Sequence, residues 1–234
     1  MDLSRVEMLV GAEALEKIKN AKVCVIGLGG VGAYAAEALV RSGIGTMRII
    51  DGDVVEASNI NRQLPALHST IGKSKVDVMA ARFRDINPEC KLETLNAFYK
   101  AGDFADFFDS SFDYVVDAID DVQAKVDILA SCYKAGIPVI SAMGTGNKLN
   151  PEKLQVTDIS KTHTCPLAKH VRHDLRAMGI TKGIDVVFST EEPVKVFKGP
   201  TPASMVFVPG SAGLLMASWI VRKIVLQCNT RVLG

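Results

Sequence analysis

A strand-like run that breaks directly into glycines restricts this chain more than any other stretch of its sequence. Residues 22–26 (KVCVI) are β-branched and apolar, and Gly27-Leu28-Gly29-Gly30-Val31-Gly32 follows without a spacer. Residues 31–41 then have helix-forming composition, and 47–51 (MRIID) read as a second buried strand. Strand, tight turn, helix and strand in this order imply a parallel sheet with helices on both faces. Glycines at such a turn let phosphates approach backbone N–H groups at a helix start, so Gly27, Gly29, Gly30 and Gly32 mark a nucleotide site. Asp51 ends the second strand, where a carboxylate can accept hydrogen bonds from ribose hydroxyls. On these residues alone, a nicotinamide dinucleotide and ATP are both open.

The alternation continues downstream. Residues 73–85 read as a helix, 91–96 as a strand, 114–118 as a strongly apolar strand, 122–135 as a helix and 138–142 as a strand. Ahead of them, Leu9, Ala12, Leu15 and Ile18 fall at helical spacing, which predicts one amphipathic helix over 8–19. Beyond Gly146 the rhythm weakens. Strands are expected at 155–159 and 185–189 and a helix at 166–178, extending the sheet by a partly antiparallel C-terminal portion. Residues 195–209, rich in Pro, Gly and small polar residues, read as a mobile loop. The fold class is therefore α/β, a Rossmann-like and mostly parallel sheet. With 234 residues there is room for one large domain, a nucleotide-binding core over 1–145 continued by 146–234.

Residues 210–227 are the most apolar stretch, but Arg222 and Lys223 interrupt them and they fall short of the roughly 20 apolar residues of a membrane span. A buried or interface helix is expected there, and no integral span. The first residues lack the apolar core and cleavage site of a signal peptide. Five scattered cysteines without a Cys-x-x-Cys pair fit a reducing cytoplasm. A net charge of +1 confines any nucleic-acid contact to a local patch.

The loop after Asp51 separates the two nucleotides. DGDVVEASNINRQ places Asp53, Asn59, Arg62 and Gln63 in one segment, a density that a nicotinamide does not need and that suits a triphosphate with a metal. Arg62 can clamp phosphate oxygens, and carboxylates near them can help hold Mg²⁺. Lys75 lies just beyond, and Asp117-Ala118-Ile119-Asp120-Asp121 ends an apolar strand at the carboxyl edge of the sheet, where ligands bind in open α/β folds. Two other patterns carry less. Gly72-Lys73-Ser74 imitates the end of a P-loop, but Leu67 occupies the position of the required glycine. His163, Cys165, His170 and His173 match no common zinc spacing and read better as a solvated helix face.

Taken in order, GLGGVG, DGDVVEASNINRQ, GKSKVDV and VVDAIDD resemble the adenylation core of the ubiquitin-activating (E1-like) superfamily, over most of residues 5–145. That resemblance implies an enzyme that binds ATP and Mg²⁺ and transfers AMP to a carboxylate. By it, Asp51 would hold the ribose, Asn59, Arg62 and Lys75 the phosphates, and Asp120 the catalytic magnesium. Arg5, in SRVEMLVG, matches an arginine that superfamily dimers lend to the partner's ATP site, so a homodimer is implied and an ordinary surface arginine is the alternative.

Within the superfamily, enzymes that activate sulfur carriers usually hold a zinc with two Cys-x-x-Cys pairs, absent here, and those that activate ubiquitin carry a large extra domain. SAMGTGNKLNP, VTDISKT, PLAKHVRHDLR, DVVFSTEEP and PGSAGLLMASWIVRKIV resemble instead the tRNA threonylcarbamoyladenosine dehydratases, extending the likeness to nearly the whole chain. The resemblance implies adenylation of the threonylcarbamoyl carboxylate on adenosine 37 of certain tRNAs and its cyclisation, with AMP and pyrophosphate released. It leaves room for a cysteine desulfurase or sulfur-acceptor partner. The alternative substrate is the C-terminus of a ubiquitin-like or sulfur-carrier protein. Lys161, Lys169, Arg172 and Arg176, against the single acid Asp174, could meet tRNA phosphates or form a solvated helix face. Cys165 stands where the family more often has an aspartate and is read as a substitution without catalytic meaning. Cys24 and Cys132 read as core residues, and Trp219 as packing, across a dimer in one arrangement.

Overall fold

The computed structural model describes residues 1–109, 111–194, 196 and 202–228. Its strands are β1 (Lys22–Ile26), β2 (Thr46–Ile50), β3 (Lys91–Leu95), β4 (Tyr114–Asp117), β5 (Val139–Ala142), β6 (Leu154–Asp158) and β7 (Asp185–Ser189). They form one seven-stranded sheet in the order β3-β2-β1-β4-β5-β7-β6. All pairings are parallel except β6 with β7, so the expected α/β class and its antiparallel C-terminal extension are both borne out. The order runs outward from β1 in one direction and from β4 in the other. Their carboxyl ends therefore splay apart and open a crevice, as at every such reversal.

The helices are α1 (Ser4–Val10), α2 (Ala12–Asn20), α3 (Gly32–Arg41), α4 (Lys75–Ile86), α5 (Phe104–Phe107), α6 (Val122–Ala135), α7 (Pro166–Ala177) and α8 (Phe207–Cys228). Two apolar cores divide between the sheet faces. Val23, Val25, Met47 and Ile49 meet Leu39, Val40, Met79, Met216 and Ile220 on one side. Cys24, Ile26, Ile50 and Val115 meet Ile128, Leu129, Val171 and Leu175 on the other. The alternation along β1 and β2 thus feeds both layers. α8 lies close against α3 because Gly213 has no side chain, since a Cβ there would stand 2.3 Å from the Val31 carbonyl oxygen.

Two expectations need correction. The single leading helix is two, because Gly11 breaks it with φ 85, and Met8 and Leu9 are 85% and 77% exposed rather than buried. The proposed loop 195–209 ends earlier, with Phe207 to Pro209 opening α8, where a proline in the first turn loses no helical hydrogen bond. Residues 195 and 197–201 of that loop lie outside the described residues. The expected packing role of Trp219 is borne out: its indole N–H donates to Asp185 at 3.0 Å and its ring meets Tyr114 edge-on. By length and composition, α8 is the one helix among the described residues that could span a membrane, and its buried face packs into this core.

Candidate active site

A cavity of about 520 Å³ opens at the carboxyl ends of β1, β2, β4 and β5. Its floor is the glycine turn. Gly27 has φ +88 and sits so close to the next strand that a Cβ would come within 2.7 Å of the Ala118 carbonyl oxygen. A Cβ at Gly32 would lie 1.8 Å from the Gly27 carbonyl oxygen, so both positions exclude any other residue. Gly29 and Gly30 face the cavity, whereas Gly32 lies behind them in α3. No side chain caps α3 and no acid stands in its first turn. The helix start therefore offers free N–H groups and positive potential to an anion.

Asp51 ties this turn to the end of β2. It is 9% exposed; its Oδ2 accepts the Leu28 N–H at 2.6 Å and its Oδ1 accepts the Asp53 N–H at 2.8 Å. Burial lifts its carboxyl above the usual range, against the pull of those two N–H groups and of Lys75. Each oxygen keeps a further lone pair for a hydroxyl donor. At the cavity mouth Lys75, the first residue of α4, donates to half-exposed Asp53 at 2.7 Å.

The following turn presents Arg62 and Gln63. Asn59 builds that turn. Its carbonyl accepts the N–H groups of Arg62 and Gln63 at 3.1 and 2.9 Å, and its side-chain Oδ1 accepts the Glu56 N–H at 3.1 Å. Asn59 is buried and does not line the cavity. Arg62 spends Nη1 on Ser58 O and Asn61 Oδ1, and its remaining donors have no partner among the described residues. The Oε1 of Gln63 is buried and unpartnered, and Gln63 lines the cavity. A buried acceptor without a donor is costly unless a ligand supplies one.

Three carboxylates crowd the end of β4, and their partners separate their roles. Asp117 is fully buried and accepts from Lys125 Nζ and Ser141 Oγ, each at 2.6 Å. Asp121 caps α6 by accepting the Ala124 N–H at 2.7 Å. Asp120 is exposed, lines the cavity and has no partner among the described residues. No cluster of three His, Cys, Asp or Glu that could hold a metal occurs among the described residues. One free carboxylate in a cavity also lined by Arg62 and Lys75 fits Mg²⁺, which keeps waters and takes substrate phosphates as ligands rather than requiring an all-protein cage.

The other sequence candidates lie elsewhere. Arg5 is exposed on α1 and does not line this cavity. Lys161, Lys169 and Arg176 are exposed, whereas Arg172 is half-buried and turned inward, donating to the carbonyl oxygen of Thr162 at 2.9 Å and to its hydroxyl. Cys165 is buried at the start of α7, its Sγ packed against Gly144. Sequence reasoning missed the far wall, formed by Phe98 and Tyr99 after β3, Gly144 to Gly146 after β5, and Pro202 and Ser204. Gly144-Thr145-Gly146 after an apolar strand was a usable signal. The last two residues had none, because distant bonds hold their segment, from Asn61 Nδ2 to Ser204 O at 2.8 Å and from Ala203 N to Asn147 Oδ1 at 2.8 Å.

A doubly wound sheet with an uncapped helix start, an arginine with donors to spare and one carboxylate without a partner among the described residues at its switch point defines a nucleotide-binding α/β protein. The model of the ThiF family matches residues 3–233, and the chain belongs to that family. The resemblance carried by the motifs is thereby borne out. A tRNA threonylcarbamoyladenosine dehydratase of Bacillus subtilis (strain 168) is 47% identical over 234 residues, covering 93% of this chain and 92% of that protein. The crystal structure of Escherichia coli tRNA N6-threonylcarbamoyladenosine dehydratase in complex with ATP superposes with a TM-score of 0.91 at 36% identity, covering 98% of this chain and 96% of that one. The same E. coli protein in complex with AMP gives 0.92 at 36% identity, covering 97% and 94%.

Proposed function

We propose that this chain is an ATP-dependent tRNA threonylcarbamoyladenosine dehydratase, acting in the cytoplasm as a homodimer folded as one domain per chain. The observation that carries the reading is one cavity lined together by Asp120, whose carboxylate has no partner among the described residues, by Arg62, which keeps donors to spare, and by Gln63. The relatives' names supply the substrate class, a tRNA carrying threonylcarbamoyladenosine, and the motif resemblance implies that it is adenosine 37.

A carboxylate is a poor electrophile, so the first task is to give it a leaving group. The α3 N–H groups, Arg62 and Lys75 hold the triphosphate, and Asp51 holds the ribose. Lys75 must then share its charge between Asp53 and phosphate. The substrate carboxylate oxygen attacks the α-phosphorus and pyrophosphate departs, giving an acyl-adenylate. A magnesium ion held by Asp120 and phosphate oxygens would neutralise charge gathering on the α-phosphate. A nucleophilic atom of the same threonylcarbamoyl group then closes on the activated carbonyl and AMP leaves, for a net loss of one water. No enzyme thiol is required, which suits the buried Cys165.

Arg5 would complete the partner subunit's site, and exposed Met8 and Leu9 beside it suit an interface. Lys161, Lys169 and Arg176 would meet tRNA phosphates. A sulfur-transfer system would be an accessory partner. Mass spectrometry of tRNA nucleosides after incubation with ATP and Mg²⁺ tests the activity. The expected result is loss of one water from the threonylcarbamoyl nucleoside, matched by AMP formation. AMP formation with a carrier protein instead, the tRNA staying unchanged, would overturn it.

A further inference from the structure

The buried ion pair beneath the cavity lies outside the chemistry above. Lys125, Asp117 and Ser141 are each 0% exposed. Asp117 ends β4, Ser141 is its register partner on β5, and Lys125 stands in the first turns of α6. Lys125 Nζ donates to Asp117 at 2.6 Å and to Ser141 Oγ at 3.3 Å, and Ser141 Oγ donates to the same Asp117 oxygen at 2.6 Å. One ammonium group therefore joins two strands and a helix directly under the site.

Stability alone does not account for this arrangement. Desolvating two charges costs several kcal/mol, and apolar replacements of such pairs are often neutral or stabilising. What the pair does specify is geometry. The connection 118–121 bears Asp120 and is too short to hold a shape independent of its ends. Asp117 anchors one end, its Oδ1 also accepting the Ile119 N–H at 3.3 Å, and Lys125 draws the first turns of α6 to the other. The Ala118 carbonyl on this connection is the group against which Gly27 packs, so the phosphate turn takes its place from the same anchor. Lys125 also occupies Asp117, leaving Asp120 as the carboxylate free to meet a cation.

We infer that Lys125 is a positioning residue: by bridging Asp117 and Ser141 it fixes the turn 118–121 so that Asp120 faces the metal carried by the nucleotide. This rests on the proposed reading of the site. The test measures the Mg²⁺-dependent gain in ATP affinity by calorimetry without tRNA, and AMP formation with modified tRNA, in wild type, Lys125→Met, Ser141→Ala and the double variant Asp117→Asn/Lys125→Met. Misplacing a group by about 1 Å can cost about 100-fold, so Lys125→Met should lower kcat by about 10- to 100-fold while the affinity for ATP without Mg²⁺ stays within about twofold. Its Mg²⁺-dependent gain in ATP affinity should largely disappear. Ser141→Ala, a small change that keeps the ion pair, should fold and display the same pattern more weakly.

In the double variant, melting temperature should recover toward wild type while kcat does not, a split that a merely structural pair would not produce. The inference is overturned if folded Lys125→Met keeps wild-type Mg²⁺ dependence and kcat. It is equally overturned if the double variant recovers both, or, should Lys125→Met fail to fold, if Ser141→Ala moves neither quantity. A wild-type chain that forms no AMP with modified tRNA defeats the dehydratase reading instead, and the calorimetric arm still decides the role of Lys125.

Discussion

The two ends of the same sheet treat charge in opposite ways. Toward the amino ends, Arg48 from the middle of β2 meets Glu93 at 2.6 Å and Asp109 at 3.6 Å, donates to Phe107 O at 2.9 Å and lies 4.7 Å from the Phe112 ring centroid. Lys22 pairs with the same two acids and lies over the same ring. Each of these four charges is answered by another. At the carboxyl ends, Asp120, part of Arg62 and the Oε1 of Gln63 have no partner among the described residues, and Lys75 holds only a half-exposed carboxylate. A charge that the fold answers is spent, while one left open at a switch point is available to a ligand.

Breaking the open end should cost activity and little stability. Asp120→Ala is expected to lower AMP formation by about 1,000-fold, the scale of losing a preorganised charge at the transition state, with an unchanged melting temperature. A melting temperature that fell with the rate would erase the distinction between the ends. Lys75→Met, which keeps most of the buried volume, should cost about 100-fold in kcat/KM for ATP. Calorimetry should find the loss in nucleotide affinity as well as in turnover.

The closed end should behave in reverse. Arg48→Met removes a guanidinium with several partners and is expected to cost about 1–2 kcal/mol, seen as a melting temperature lower by about 3–6 °C, with kcat/KM for ATP unchanged. A change in ATP affinity would mean that the two ends communicate.

The smallest effects concern pH and differ in sign between the ends. Hydrogen bonds from the Ser111 hydroxyl and N–H, helped by Lys22 and Arg48, hold the Asp109 carboxyl below its usual range. Its contribution is therefore full above the ordinary carboxylate pKa and lost as pH falls through the lower folded value. Asp51 is shifted the other way by burial, so the native state binds its proton more tightly and wild-type stability falls as pH rises between the ordinary and the raised value. Melting curves against pH should show the advantage of wild type over Asp109→Asn vanishing in acid. The component that falls with rising pH should be missing from Asp51→Asn. Parallel curves for both variants would contradict the assignment.

Much of this molecule is legible in one dimension because its signals are local. The run KVCVI, the bends at Gly27 and Gly32, and the alternation through β5 report periodicity and backbone freedom, which act over a few residues, and they placed the parallel strands within a residue or so. The nucleotide cavity followed, since the reversal between β1 and β4 brings together what the motifs had separated. The break at Gly11 was also local, but the spacing of Leu9, Ala12 and Leu15 concealed it, because helical periodicity says nothing of a single residue with positive φ.

Tertiary structure decided which polar residues are free. In the string DAIDD three aspartates look alike, yet Asp117 is spent on Lys125, Asp121 on a helix start, and Asp120 on nothing among the described residues. Arg172 and Arg176 share one basic segment, yet one turns inward to Thr162 and the other faces solvent. Sequence fixes the type of a side chain and its place along the chain. Whether a hydrogen-bond partner reaches it depends on how helices, strands and turns pack, even when that partner is only 3, 8 or 10 residues away, so the availability of a charge is a property of the packed fold.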